Sequence, residues 1–135
     1  MKYLAIDLGA RRTGLAIGDD LTGVVTPLKV IHAASESMVL DSILDQIDSQ
    51  APTAIVIGLP LNMDGTESPG SAGARRFGEK LSEACGLQVH FQDERLTSFA
   101  AEQQLAGSGL THDQKKNLRD ALAAAAILED FLGQS

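Results

Sequence analysis

The chain of 135 residues contains no tryptophan, one tyrosine and four phenylalanines. With so little aromatic surface, leucine, isoleucine, valine and alanine must fill the interior. A single cysteine, Cys85, excludes an internal disulfide and fits a reducing compartment. No Cys/His motif surrounds it, so it reads as a small buried hydrophobe rather than a nucleophile. His32, His90 and Cys85 lack zinc-motif spacing. No apolar run reaches the roughly 20 residues that span a bilayer. The N-terminus also lacks the basic-then-apolar pattern of a secretory leader. These absences predict a cytoplasmic protein without membrane contact.

Positive charge is scarce as well. Eleven basic residues face 18 acidic ones, a net charge of −7, which argues against indiscriminate binding to nucleic acid. Distribution matters more than the sum. All the basic residues except Lys2 and Lys29 fall into four small groups: Arg11 and Arg12; Arg75, Arg76 and Lys80; Arg95; and Lys115, Lys116 and Arg119. A fold that gathers them would give an acidic protein a basic working face.

The length predicts a single domain over residues 1–135, with no repeat and no linker. Apolar segments at residues 3–7, 13–18 and 24–31 are separated by short turns, the pattern of antiparallel hairpins. Val39, Leu40, Ile43, Leu44 and Ile47 make one apolar face of a helix near residues 37–49. "AIVIG" at residues 54–58 is apolar without alternation, as in a central strand covered on both faces. A loop rich in glycine and proline leads to a helix at residues 74–84, stopped by Gly86, and then a strand at residues 87–93. Thr97 begins a short helix to about residue 106, and Thr111 with Gln114 has capping-box spacing for a last helix reaching Leu132. The order predicts an α/β fold: a mixed sheet of five strands, three antiparallel plus two parallel, with helices on both faces.

Acids gather on this plan. Asp7 ends the first strand on the face of Tyr3 and Ala5; buried without a partner, its charge would cost several kcal/mol. Asp93 and Glu94 end the fifth strand, at the sheet edge where open α/β folds bind ligands. Asp120 heads the inward stripe of Ala124, Ile127 and Phe131 on the last helix. Arg11 or Arg12 is the simplest partner for Asp7 taken alone. Several carboxylates at one edge repel unless cations lie between them. An oxygen-only donor set suits Mg²⁺ or Mn²⁺, and a pair of such ions can cleave phosphodiesters. Strand alternation does not say whether Asp93 or Glu94 joins the cluster.

Four segments, "AIDLGARRTGLAIGD", "AIVIGLPLNMDGTES", "FQDERLTS" and "KKNLRDALAAAAILEDFL", resemble in order and spacing the YqgF/RuvX family of RNase H-fold nucleases. The resemblance covers nearly the whole chain. It implies metal-dependent hydrolysis with Asp7, Glu94 and Asp120 as metal ligands, two ions being bound with substrate. It also implies a structured RNA substrate, the precursor of 16S ribosomal RNA, processed at its 5′ end during ribosome biogenesis. Ser98, where a second threonine is common in the family, is a minor departure.

The remaining motifs supply candidate substrate contacts. Gly9 allows a close turn; Gly58 lets the backbone approach a ligand. Asn62, Gly65, Thr66 and Ser68 offer amides and hydroxyls. Arg11, Arg12, Arg75, Arg76, Arg95, Lys115 and Lys116 offer phosphate contacts, although Lys116 is also spaced to compensate Asp120. Within the same chemistry the alternative is a resolvase of branched DNA, which favours a homodimer where RNA trimming permits a monomer. Outside it stand a non-catalytic RNA-binding assembly factor and a nucleotide-binding protein of the actin and sugar-kinase type. The last requires a second domain that 135 residues do not contain.

Overall fold

The computed structural model describes residues 1–94, 109 and 111–133. The helix expected after Thr97, and Arg95, lie outside the described residues. Three strands come first: β1 (Lys2–Asp7), β2 (Arg12–Asp19) and β3 (Val25–His32). They are followed by α1 (Glu36–Gln50), β4 (Ala54–Leu59), α2 (Pro69–Cys85), β5 (Gln88–Asp93) and α3 (His112–Leu132). The sheet runs β3-β2-β1-β4-β5. Pairing is antiparallel for β1 with β2 and β2 with β3, and parallel for β1 with β4 and β4 with β5. This is the mixed five-stranded sheet expected from the chain order.

Both faces of the sheet are covered. On one, Leu4, Ile6, Leu15, Ile55 and Ile57 pack against Val39 and Ile43 of α1 and Phe77 and Leu81 of α2. On the other, Tyr3, Ala5, Ala16, Ala54 and Val56 meet Ala124, Ala125, Ile127 and Leu128 of α3. Every residue of β4 is buried, which is why its sequence shows no alternation. Pro27 sits in β3, an edge strand, where a missing N–H does not break the sheet.

Side-chain caps explain where α2 and α3 begin. Thr111 Oγ1 accepts from Gln114 N at 3.2 Å, and Gln114 Oε1 accepts from Thr111 N at 3.0 Å. This is the reciprocal cap predicted for the last helix. α2 starts at Pro69, five residues before the expected position 74. Ser68 and Ser71 form a capping box and Pro69 takes the first turn, where its absent N–H has no cost. The density of glycine and proline in this stretch imitates a loop, whereas the serine spacing marks a helix start.

Candidate active site

A row of residues runs across the sheet on the α3 face at its carboxyl edge. Gly14 of β2 pairs with Asp7 of β1. Ile6 pairs with Ile57, which sets Gly58 of β4 level with Asp7, and Gly58 pairs with Gln92 of β5. Asp7 therefore stands between two glycines, and each leaves room for another acid. A β-carbon at Gly14 would collide with the backbone carbonyl oxygen of Asp120, so the bare strand is what admits α3 here. A β-carbon at Gly58 would lie 2.6 Å from Glu94 Oε2 and 2.5 Å from Ile127 Cδ1. The space at Gly58, expected to admit a ligand, is taken by the Glu94 side chain and by α3.

The structure resolves the choice between Asp93 and Glu94. On β5, Val89 and Phe91 pack with α1 and α2, while His90 contacts Tyr3 and Phe131 on the α3 side. Glu94 continues the parity of His90 and Gln92, and its N–H donates to Leu59 O at 3.1 Å, extending the strand ladder one residue. Its carboxyl shares a hydrogen bond with that of Asp7. Burial, then the neighbouring charge of Asp7, pushes Glu94 up from 4.5 to about 9. Burial also raises Asp7 above the ordinary aspartate range; the hydrogen bond from Glu94 opposes that rise, and the charge of Asp120 adds to it. The two titrations are linked, and Glu94 keeps its proton at neutral pH.

Arg12, one of the two simplest partners for Asp7 taken alone, pairs instead with Asp120. Arg12 Nε approaches Asp120 Oδ2 at 2.8 Å, and Lys116 is not its ion-pair partner. The approach joins the charges without directing an N–H at the oxygen; Oδ2 is buried and, among the described residues, lacks a hydrogen bond. With Arg12 38% exposed, the pair contributes no more than about 1 kcal/mol. Among the described residues, no three carboxylate, imidazole or thiolate side chains yet enclose a common point. Asp7 and Glu94 are joined by a proton, and Asp120 is drawn toward Arg12.

Asp7 and Asp120 border an open cleft of about 920 Å³. Asp7, Asp120, Gly9, Arg11, Arg12, Lys116, His32 and Ala33 are among its lining residues. The fold thus gathers three of the grouped basic residues beside the acids. His32 was not singled out by sequence; it arrives because β3 pairs antiparallel with β2 and sets it opposite Arg12. Other candidates lie elsewhere. Arg75 is held by Glu67 through Nε–Oε1 at 2.7 Å and Nη2–Oε2 at 3.2 Å, and lies 5.3 Å over the Phe91 ring. That hydrogen bond holds Glu67 below, and Arg75 above, its ordinary value. Asn62, Gly65 and Thr66 form a self-bonded turn: Asn62 Nδ2 donates to Thr66 Oγ1 at 3.0 Å, and Gly65, at φ 87°, donates its N–H to Asn62 O at 2.8 Å. Arg76 is exposed on α2, and Lys115 lies on α3 outside the cleft lining.

A mixed sheet with the first strand central and acids at its carboxyl edge defines the RNase H-like class. The fowlpox virus Holliday junction resolvase shares the fold with a TM-score of 0.63 at 12% identity, over 100% of both chains. Thermus thermophilus RuvC does so with a TM-score of 0.56 at 18% identity, over 94% of this chain and 92% of the other. The family model described as "RuvX: Holliday junction resolvase" matches residues 1–134. A relative from Anaeromyxobacter sp. (strain Fw109-5), named "Putative pre-16S rRNA nuclease", is 40% identical over 132 residues, 98% of this chain and 96% of the other. The chain belongs to the RuvX family.

Proposed function

We propose that the protein is a divalent-metal-dependent endonuclease that hydrolyses phosphodiester bonds in structured RNA, processing the 5′ end of precursor 16S ribosomal RNA in the cytoplasm. The observation that carries this reading is the hydrogen-bonded Asp7–Glu94 pair at the sheet edge, with Asp7 and Asp120 bordering a cleft lined by Arg11, Arg12 and Lys116. The RNA assignment is supported by the name of the Anaeromyxobacter relative.

The donor set fits Mg²⁺ or Mn²⁺. It offers only carboxylate oxygens: those of the hydrogen-bonded Asp7–Glu94 pair and, beside them, Asp120 Oδ2, buried without a hydrogen bond among the described residues. Asp7, Glu94 and Asp120 would hold the ions. When bound, these activate water and stabilise the leaving oxygen of the phosphodiester. The chain's own residues do the rest. Arg11, Arg12 and Lys116 draw the polyanion into the cleft and position its phosphates. Arg12 is shared between Asp120 and an incoming phosphate, so substrate entry frees the carboxylate. The apolar contacts of Ile127 and the close approach at Gly14 keep α3, and with it Asp120, fixed against the sheet.

The test is cleavage of labelled precursor 16S RNA and of a four-way DNA junction with Mg²⁺ or Mn²⁺. Wild type is compared with Asp7→Asn and Asp120→Asn. Both variants are expected to keep the fold and lose cleavage; activity surviving in either removes the metal-site assignment. The family description favours one second reading, resolution of branched DNA, and preference for the junction would establish it. Wild type cutting neither substrate with any divalent ion would favour a binding role in ribosome assembly.

A further inference from the structure

His32 lies on the cleft wall but belongs neither to the acids nor to the cations. It ends β3 and pairs with Arg12 of β2. Ala33 N donates to Arg11 O at 3.1 Å, so Arg12 and His32 form the non-hydrogen-bonded kind of antiparallel pair, whose facing side chains lie closest. Both stand on the α3 face, two residues beyond the row of Asp7 and Gly14. His32 lines the cleft and also the adjoining groove between β3 and α3, which places it at the mouth. It is exposed, and among the described residues no hydrogen bond, ion pair or ring contact holds its imidazole.

Position and chemistry together assign this side chain a task. Two strands across and two residues along, its backbone is about 12 Å from that of Asp7. It therefore faces a nucleotide beside the scissile phosphate rather than that phosphate itself. Arg11, Arg12 and Lys116 carry donors only, which suits phosphate oxygens. Ionised Asp7 and Asp120 carry acceptors only. Among the side chains lining the cleft, the imidazole of His32 alone offers a donor nitrogen and an acceptor nitrogen together. A ribose 2′-hydroxyl is likewise donor and acceptor, and it is the group by which a protein tells RNA from DNA. A further cation at this place would strengthen the binding of both polymers alike.

We infer that His32 is a specificity-determining residue: its imidazole hydrogen-bonds the 2′-hydroxyl of a nucleotide flanking the scissile phosphate, so that the cleft prefers ribose to deoxyribose. This rests on the nucleic-acid reading of the cleft and deepens it by naming the sugar. Arg11, Arg12 and Lys116 supply affinity for any phosphate backbone, and His32 decides which backbone is held more tightly.

The probes are a single-stranded oligoribonucleotide, its deoxyribose counterpart with the same bases, and its 2′-O-methyl form. Each is titrated into metal-free protein and followed by fluorescence anisotropy. The three share their phosphates, so differences report the sugar. Wild type is expected to bind the ribose form about fivefold more tightly than the deoxyribose form, the worth of one hydrogen bond. The 2′-O-methyl form, which cannot donate, should lose most of that preference. His32→Ala should weaken the ribose form about fivefold and leave the deoxyribose form and the melting midpoint unchanged, the side chain being exposed. His32→Gln, whose amide donates and accepts, should retain part of the preference. His32→Lys should strengthen both forms alike without restoring it, and Arg11→Ala should weaken both alike. An equal loss for both sugars in His32→Ala would mark a phosphate contact and overturn the inference, as would a wild type that binds the two sugars equally. Binding of neither form would overturn the nucleic-acid reading of the cleft itself, so the two failures are told apart.

Discussion

Replacing Glu94 by glutamine is expected to make the metal-free protein more stable at neutral pH. In the folded chain Glu94 keeps its proton up to about pH 9, whereas the unfolded chain releases it near 4.5. Between those values the folded state binds one proton more than the unfolded state, so stability falls as pH rises. Below about 4.5 both forms are protonated and the loss is absent; above about 9 it is complete. Each unit in this window costs about 1.4 kcal/mol, which at pH 7 amounts to about 3 kcal/mol. Glutamine carries no charge to bury and can still donate to Asp7. Asp7 keeps its own burial cost, so 3 kcal/mol is of the order of a ceiling, equivalent to about 10 °C in a domain of this size. The assay is thermal melting between pH 5 and 8 in chelator. Wild type should lose stability steadily across the range, and Glu94→Gln should flatten the curve and melt higher at pH 8. Mn²⁺ should restore wild type at pH 8 and help the variant much less. A flat wild-type profile, or a variant that melts below wild type at pH 8, would refute the buried shared proton.

The glycines make two further predictions. Gly58→Ala is expected to displace the Glu94 carboxylate and Ile127, costing about 1–3 kcal/mol by denaturant titration and at least tenfold in cleavage rate. Gly14→Ala meets the backbone of α3 rather than a movable side chain, so its loss of stability should exceed that of Gly58→Ala in the same titration. The arginines separate by salt dependence. Arg12→Ala should lower the slope of log affinity against log salt by about 1, whereas Arg75→Ala, which breaks the exposed contact with Glu67 and the approach to the Phe91 ring, should leave the slope unchanged.

Local pattern carried most of the fold. β4 declared itself by an unbroken apolar run, α3 by its Thr111–Gln114 cap and the stripe from Asp120 to Phe131, and the hairpins by their short turns. These signals depend on side-chain periodicity and on backbone donors within a few residues, so they survive in one dimension. α2 was misplaced at its start because glycine and proline content outweighed the Ser68–Ser71 spacing. Asp7 and Asp120 were legible because each is a charge placed in an apolar pattern.

What the chain could not display was which groups meet. Glu94 meets Asp7 because it shares the α3 side of β5 with His90, and parity alone does not say which side of a half-buried strand α3 covers. Arg12 serves Asp120 rather than Asp7, and Arg75 turns to Glu67, since ion pairs follow distances that only packing sets. His32 enters through strand register, opposite Arg12. Sequence determined the elements and the presence of misplaced charge. Tertiary structure decided the partners, because a carboxylate's protonation and reach depend on burial and on neighbours distant in the chain.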